Sequence, residues 1–104
     1  MGTVKITVID KIARQDLQRK FGTKDFKDGD DTSCDKFKIG DTFSYSSGEG
    51  VPAGFCAWAW ADINRDAEAL KNGANFAWIK PEGTQIACCT DGLRPVFFKI
   101  ERTG

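Results

Sequence analysis

Four thiols and no imidazole bound the chemistry open to this chain of 104 residues. Cys34, Cys56 and the adjacent pair Cys88 and Cys89 are its soft nucleophiles and metal ligands. The lack of histidine removes Ser-His-Asp triads, histidine proton shuttles and mixed Cys–His zinc sites. A Cys-only centre for zinc or an iron–sulfur cluster would draw on Cys34, Cys56, Cys88 and Cys89. No C-x-x-C is present, and neighbours in a strand point to opposite faces. One strand therefore delivers only one of Cys88 and Cys89 to such a centre unless it bulges. Buried cysteines serve equally well as small core side chains.

Two of the thiols fall in settings that activate sulfur. Cys56 lies in the first turn of a predicted helix, where unpaired N–H groups and the helix dipole favour a thiolate. Cys89 faces Arg94 across a predicted hairpin, with Asp91 and Glu101 as the alternative partners of Arg94 and packing under Trp60 as the alternative role of Cys56. Cys56, Cys89 and Arg94 are thus the candidate catalytic set, and Trp58, Trp60, Asp62, Asp91 and Arg94 the candidate ligand-binding set. Asp62 and Asp66 stand one helical turn apart with Arg65 nearby, an arrangement suited to acid–base work or to a plain solvated surface. Asp91 precedes Gly92 and serves a turn before it serves chemistry. Three motif matches fail. Around Asp28-Gly29 a calcium loop would need oxygen ligands where Lys24 and Phe26 stand. Gly48, Gly50 and Gly54 miss the dinucleotide spacing by one residue. Lys36 and Lys38 are diluted by Asp35 and Asp41, which argues against a single-stranded nucleic-acid platform.

The elements that must position these residues follow from periodicity. Val4, Ile6 and Val8 alternate with Thr3, Lys5 and Thr7, the pattern of a half-buried strand. Ala13, Leu17 and Phe21 recur every four residues, predicting a short helix that stops at Gly22. Residues 10–41 hold eight acidic and eight basic side chains, and 23–36 read as a mobile charged loop. Phe43 and Tyr45 mark a strand over 42–46. Cys56, Ala59, Trp60, Ile63, Ala67 and Leu70 share one face of a helix over about 55–72, with Asp62, Arg65, Asp66, Glu68 and Lys71 mostly opposite and Gly73 closing it. Trp58 lies off the apolar stripe, so its ring needs a neighbour, a ligand or another subunit. A C-terminal hairpin pairs 85–90 with 94–101 around Asp91-Gly92. It sets Cys89 opposite Arg94 and Cys88 opposite Pro95, which lacks the donor a ladder needs. Val96, Phe98 and Ile100 form its buried face, shared by Ala87 and Cys89. The expected fold is a single α+β domain over 1–104, a small, mainly antiparallel sheet with one long and one short helix.

Composition narrows the function classes. Hydrophobic residues make up 40% and charged residues 29%, ordinary for a globular chain, and the formal net charge is zero. That balance offers no basic excess to nucleic acid or to an anionic membrane. Met1–Asp10 reads as a strand rather than as the apolar core of a signal peptide, and no run approaches the roughly 18 apolar residues of a membrane span. Four cysteines in that context point to a reducing cytoplasm, although four would also allow three disulfide pairings.

The words Gly54-Phe55-Cys56-x-Trp58-Ala59-Trp60-x-Asp62-Ile63 and Ala87-Cys88-Cys89-Thr90-Asp91-Gly92-Leu93-Arg94-Pro95-Val96 resemble a small single-domain family of uncharacterised prokaryotic proteins, common in anaerobes. Cys34 ahead of Gly40-Asp41-x-Phe43, and Gly73-x-Asn75-Phe76-x-Trp78, extend the resemblance over most of the chain. It brings no activity, substrate or cofactor. It does place Cys, Trp, Asp and Arg among the identifying residues. If the long helix packs over the hairpin, Cys56 and Cys89 converge beneath Trp58, Trp60 and Arg94, in a place for a metal or for an anionic or planar ligand. The leading expectation is a Cys/Trp/Arg-lined site binding zinc, an iron–sulfur cluster or a small ligand. The alternatives are a homo-oligomeric interaction module anchored by Trp58 and Trp78, and a thiol-dependent redox enzyme in which Cys56 attacks with help from Arg94.

Overall fold

The computed structural model describes residues 2–23, 26, 32–46 and 50–104. Its elements run β1 (Thr3–Lys11), α1 (Gln15–Phe21), β2 (Thr42–Ser46), α2 (Ala57–Lys71), β3 (Thr84–Cys88) and β4 (Val96–Arg102). The strands form one antiparallel sheet in the order β2-β1-β4-β3, and α2 packs across β1, β4 and β3. This is the expected α+β class. The alternation in β1 sends Val4, Ile6 and Val8 inward, where they meet Phe98 and Ile100 of β4 and Ile63, Ala67 and Leu70 of α2 in a common core. The part of the charged 23–36 stretch at 24, 25 and 27–31 lies outside the described residues.

The ends of α2 are fixed by different means. At its carboxyl end Ala74 N–H donates to the Ala69 carbonyl and Gly73 N–H to that of Leu70, with Gly73 at a φ of 97°. That is a Schellman closure, and the positive φ explains the glycine. Arg102 of β4 then donates from Nη1 to the carbonyls of Leu70 and Ala74 at 2.9 and 2.8 Å, tying the negative helix end to the sheet. At the amino end the helix starts two residues later than expected. Cys56 is the cap, with extended backbone (φ −69°, ψ 127°), rather than a member of the first turn.

Three other expectations are corrected. Phe21 of α1 is exposed and Gln18 is the buried residue of that helix, because Gln18 has carbonyls to bind beneath it. Asp66 and Lys71 are buried rather than opposite the core. Asp66 lies three residues after Ile63 and four before Leu70, hence on their face. Lys71 lays its stem against Tyr45, its ammonium 5.1 Å from the ring centroid and 3.0 Å from Glu68. The hairpin register is displaced by two residues: Cys88 faces Phe97, not Pro95, and Cys89 exchanges with Val96, not Arg94. Pro95 precedes β4 and needs no donor there, because its carbonyl accepts the N–H of Ile12 at 2.9 Å.

Tyr45, Glu68 and Lys71 form a small acid-sensitive contact. The Tyr45 hydroxyl donates to Glu68 at 2.6 Å, and this bond, followed by that from Lys71, holds the Glu68 carboxyl below its ordinary value of 4.5. A depressed carboxylate stabilises the fold above its unfolded value and loses that contribution as pH falls through its folded one. The stability difference between the wild type and Glu68→Gln is therefore expected to be full near neutrality and to shrink progressively as pH falls from 4.5 through the lower folded value. Urea titrations across that range would show it, and a difference independent of pH would contradict the assignment.

Candidate functional site

Three segments far apart in sequence meet at one end of the sheet, and each is stapled there by a side chain. Lys11, the last residue of β1, donates from Nζ to the carbonyls of Cys34 and Phe37, both at 3.0 Å, which fixes the irregular 34–37 segment. Gln18 of α1 donates from Nε2 to the carbonyls of Thr32 and Leu93 at 3.2 and 2.8 Å. The N–H groups of Ile12 and Arg14 extend the β1 pairing onto Pro95 and Leu93. A lysine ammonium and a buried amide thus replace regular ladders where the chain is irregular, meeting the rule that buried carbonyls find donors.

The 89–95 connection is locked to α2 by a second device. Trp58 and Asp62 stand four residues apart, hence on one face of the helix, and both reach Thr90. Trp58 Nε1 donates to Thr90 Oγ1 at 3.2 Å. That hydroxyl is 3.0 Å from Asp62 Oδ2, which also accepts the Thr90 N–H at 2.8 Å. Trp58 remains 67% exposed, so its neighbour is this latch and not the core. Asp62 is accounted for as a structural acceptor on the open edge of β3. Nearby, Gln85 Oε1 similarly takes the edge N–H of Ile86 at 3.0 Å. Capping edge donors in this way blunts an unpaired strand against pairing with another chain.

Within the connection Asp91 organises the turn. Its Oδ1 accepts the N–H groups of Leu93 and Arg94 at 3.0 and 3.2 Å, and its Oδ2 accepts Arg94 Nε at 3.2 Å. The Arg94 guanidinium also lies 5.2 Å from the Phe26 ring centroid. Held by Nε and by the ring, Arg94 keeps two terminal nitrogens that bond to nothing among the described residues. Arg94 is therefore the partner of Asp91 rather than of Cys89.

Between these segments lies a pocket of about 530 Å³ lined by Cys34, Cys56 and Cys89 together with Phe37, Ala59 and Val96, and rimmed by Trp58, Lys36, Arg94 and the 90–92 stretch. Three of the four cysteines converge, as does Arg94. Trp60 does not: its ring packs on Tyr45 and Phe55, at 4.9 and 5.9 Å, away from the pocket. Cys88 is also excluded, because it shares the outer sheet face with Phe97 while Cys89 faces in. Partial desolvation pushes the Cys88 thiol above its ordinary value, with Cys89 and the Asp62 carboxylate adding to the shift. Cys89 is buried, and its sulfur accepts the N–H of Val96 at 3.3 Å. Among the described residues, no three cysteine, aspartate or glutamate side chains come together as a metal-ligating group. The expected zinc or iron–sulfur ligand set of Cys34, Cys56, Cys88 and Cys89 is not assembled. The strand pleat turns Cys88 away, and the three cysteines that do line the pocket are not gathered into a ligand group either.

Trp78, expected as an interface anchor, stands 74% exposed beside Phe76, at 5.2 Å between centroids. No helix among the described residues is long and apolar enough to cross a membrane. Sequence reasoning missed Lys11, Gln18 and Phe37, the residues that build the pocket wall from the charged stretch. Compared with known proteins, the chain matches no family model, no curated protein and no solved structure.

Proposed function

We propose that the chain binds a small, flat organic carboxylate in the thiol-lined pocket. The observation that carries this reading is Arg94: a guanidinium tethered through Nε to Asp91, set 5.2 Å from the Phe26 ring centroid, with both terminal nitrogens unpaired among the described residues at the rim of an apolar cavity. A planar fork held in place with two free donors suits bidentate recognition of a carboxylate. Lys36 adds a second cation on the same rim, also without a partner among the described residues. Phe37, Ala59 and Val96 supply the buried inner surface, and the cavity falls within the span of small-molecule sites, about 300–1,000 Å³. Trp58 on the rim makes binding visible, since an occupant would alter the surroundings of an indole that is now mostly in water.

Each residue then has a defined task. Arg94 orients the carboxylate, Lys36 raises the local potential, and the apolar surface takes the ring. Trp58 and Thr90 keep the 89–95 connection against α2, so that the mouth holds its shape. Naphthoate titrated into the protein should quench or shift tryptophan emission, and Trp58→Phe should remove most of that signal. Arg94→Gln should weaken binding by about 10- to 100-fold, the loss of a charge-assisted pair worth about 1.5–3 kcal/mol. Equal affinity for naphthoate and for uncharged naphthamide, or an unchanged affinity in Arg94→Gln, would sink the proposal.

A further inference from the structure

We infer that this pocket is a dithiol centre whose substrate is an anionic low-molecular-weight disulfide, with Cys56 as the attacking thiol and Cys89 as the resolving one. The inference rests on the carboxylate-binding reading above and adds the reacting group. Recognition of a carboxylate needs no sulfur, yet three thiols from three separate segments line the cavity while the fourth cysteine is turned to the outer face of the sheet. Disulfide exchange is chemistry that uses two thiols in one pocket and no histidine, metal or further cofactor.

The two roles follow from position. Cys56 is the more accessible and caps the amino end of α2, where its side chain makes no capping bond. The unpaired N–H groups there favour charge that develops on a nearby sulfur. Cys89 is buried, and the Val96 N–H holds its sulfur at 3.3 Å, so a bulky disulfide meets Cys56 first. Arg94 and Lys36 at the rim select for carboxylates on the incoming molecule.

The reaction balances on the protein and its substrate alone. Cys56 gives its proton to water and its sulfur attacks one sulfur of R–S–S–R; the substrate S–S bond breaks, a mixed disulfide forms on Cys56, and one thiolate leaves to take up a proton from water. Cys89 gives its proton to water and its sulfur attacks that of Cys56. The second thiolate departs, and a Cys56–Cys89 bond remains. Two electrons pass from the protein to the substrate, which ends as two thiols.

Dithiobis(nitrobenzoate) is a direct probe, being an aromatic disulfide in which each flat ring carries a carboxylate. The reduced, folded protein should release two nitrothiobenzoate ions per chain in its fast phase and retain none at the pocket. Peptide mapping should then show Cys56 joined to Cys89. Cys89→Ser should release one ion in that phase and keep the mixed disulfide on Cys56. Arg94→Gln should slow the reaction about tenfold, which corresponds to about 1.4 kcal/mol, while leaving that with uncharged dithiodipyridine nearly unchanged. A mixed disulfide persisting on Cys56 of the wild type, a Cys56–Cys34 bond, or equal slowing of both probes would overturn the inference. If naphthoate still binds in any of those cases, the carboxylate pocket stands and only the dithiol chemistry fails; if naphthoate does not bind, both fall.

Discussion

Replacing Phe37 with alanine is expected to lower the free energy of unfolding by about 3–5 kcal/mol, a large share of the roughly 5–15 kcal/mol that holds a domain together. Phe37 is 2% exposed, and its ring meets those of Phe43, Phe55 and Phe98 at centroid distances of 5.9, 5.0 and 5.2 Å. The three contacts join an irregular segment, β2, the approach to α2 and β4 around one side chain. Truncation removes edge-to-face pairs and leaves a cavity that aromatic neighbours on separate elements are poorly placed to fill. Because Phe37 also lines the pocket, the same change should weaken naphthoate binding. Phe37→Leu, which keeps most of the volume, should cost about 1.5 kcal/mol or less. Urea denaturation followed by circular dichroism checks both values. A loss below about 1 kcal/mol for the alanine variant would mean that the 34–37 segment is not part of the cooperative core.

That Phe37 was not foreseen shows which physical signals a sequence carries. Val4, Ile6 and Val8 announce a strand because burial on one face imposes a period of two. Ala59, Ile63, Ala67 and Leu70 announce α2 because burial on one stripe imposes 3.6. Both assignments agree with the structure, as does closure at Gly73, where a positive φ restricts the residue type. Phe37 stands alone between lysines in a segment without regular structure, so no period marks it. Lys11 and Gln18 are silent for a related reason: their partners are backbone carbonyls many residues away, and such bonds leave no pattern along the chain. The convergence of Cys56 and Cys89 was legible once a helix and a hairpin were set against each other. For Arg94 the sequence left Cys89 across the hairpin and Asp91 or Glu101 as rival partners; Asp91-Gly92 reads as a tight turn, whereas Asp91 draws in two N–H groups and the Arg94 side chain to build a wider one. Two residues of register separate those outcomes, and they decide whether the guanidinium meets a thiol or a carboxylate.

Asp91 is accordingly the residue on which loop shape and the hold on Arg94 can be separated. Asp91→Ala should lower stability by about 2 kcal/mol, since two backbone donors and one guanidinium donor lose a charged acceptor in a partly exposed setting. It should also weaken naphthoate binding by at least about tenfold, because Arg94 is no longer held at the rim; that is about 1.4 kcal/mol. A competing effect runs the other way. Asp91 lines the pocket, and removing its negative charge should by itself favour an anion. The size of that effect is bounded by the exposure of the Asp91–Arg94 pair, 29% and 40%, for which coupling of about 1 kcal/mol or less is normal. Positioning should therefore win in the alanine variant. Asp91→Asn separates the two roles: its one side-chain oxygen can still accept the N–H groups of Leu93 and Arg94, so the turn persists, but the NH2 that replaces Oδ2 cannot accept from Arg94 Nε. Naphthoate should therefore bind Asp91→Asn about as weakly as Asp91→Ala, with a stability loss near 1 kcal/mol or less. If asparagine binds naphthoate as tightly as the wild type while alanine does not, the turn alone places Arg94 and the role of the Nε tether is wrong. If neither changes binding, the carboxylate is not held at Arg94 at all.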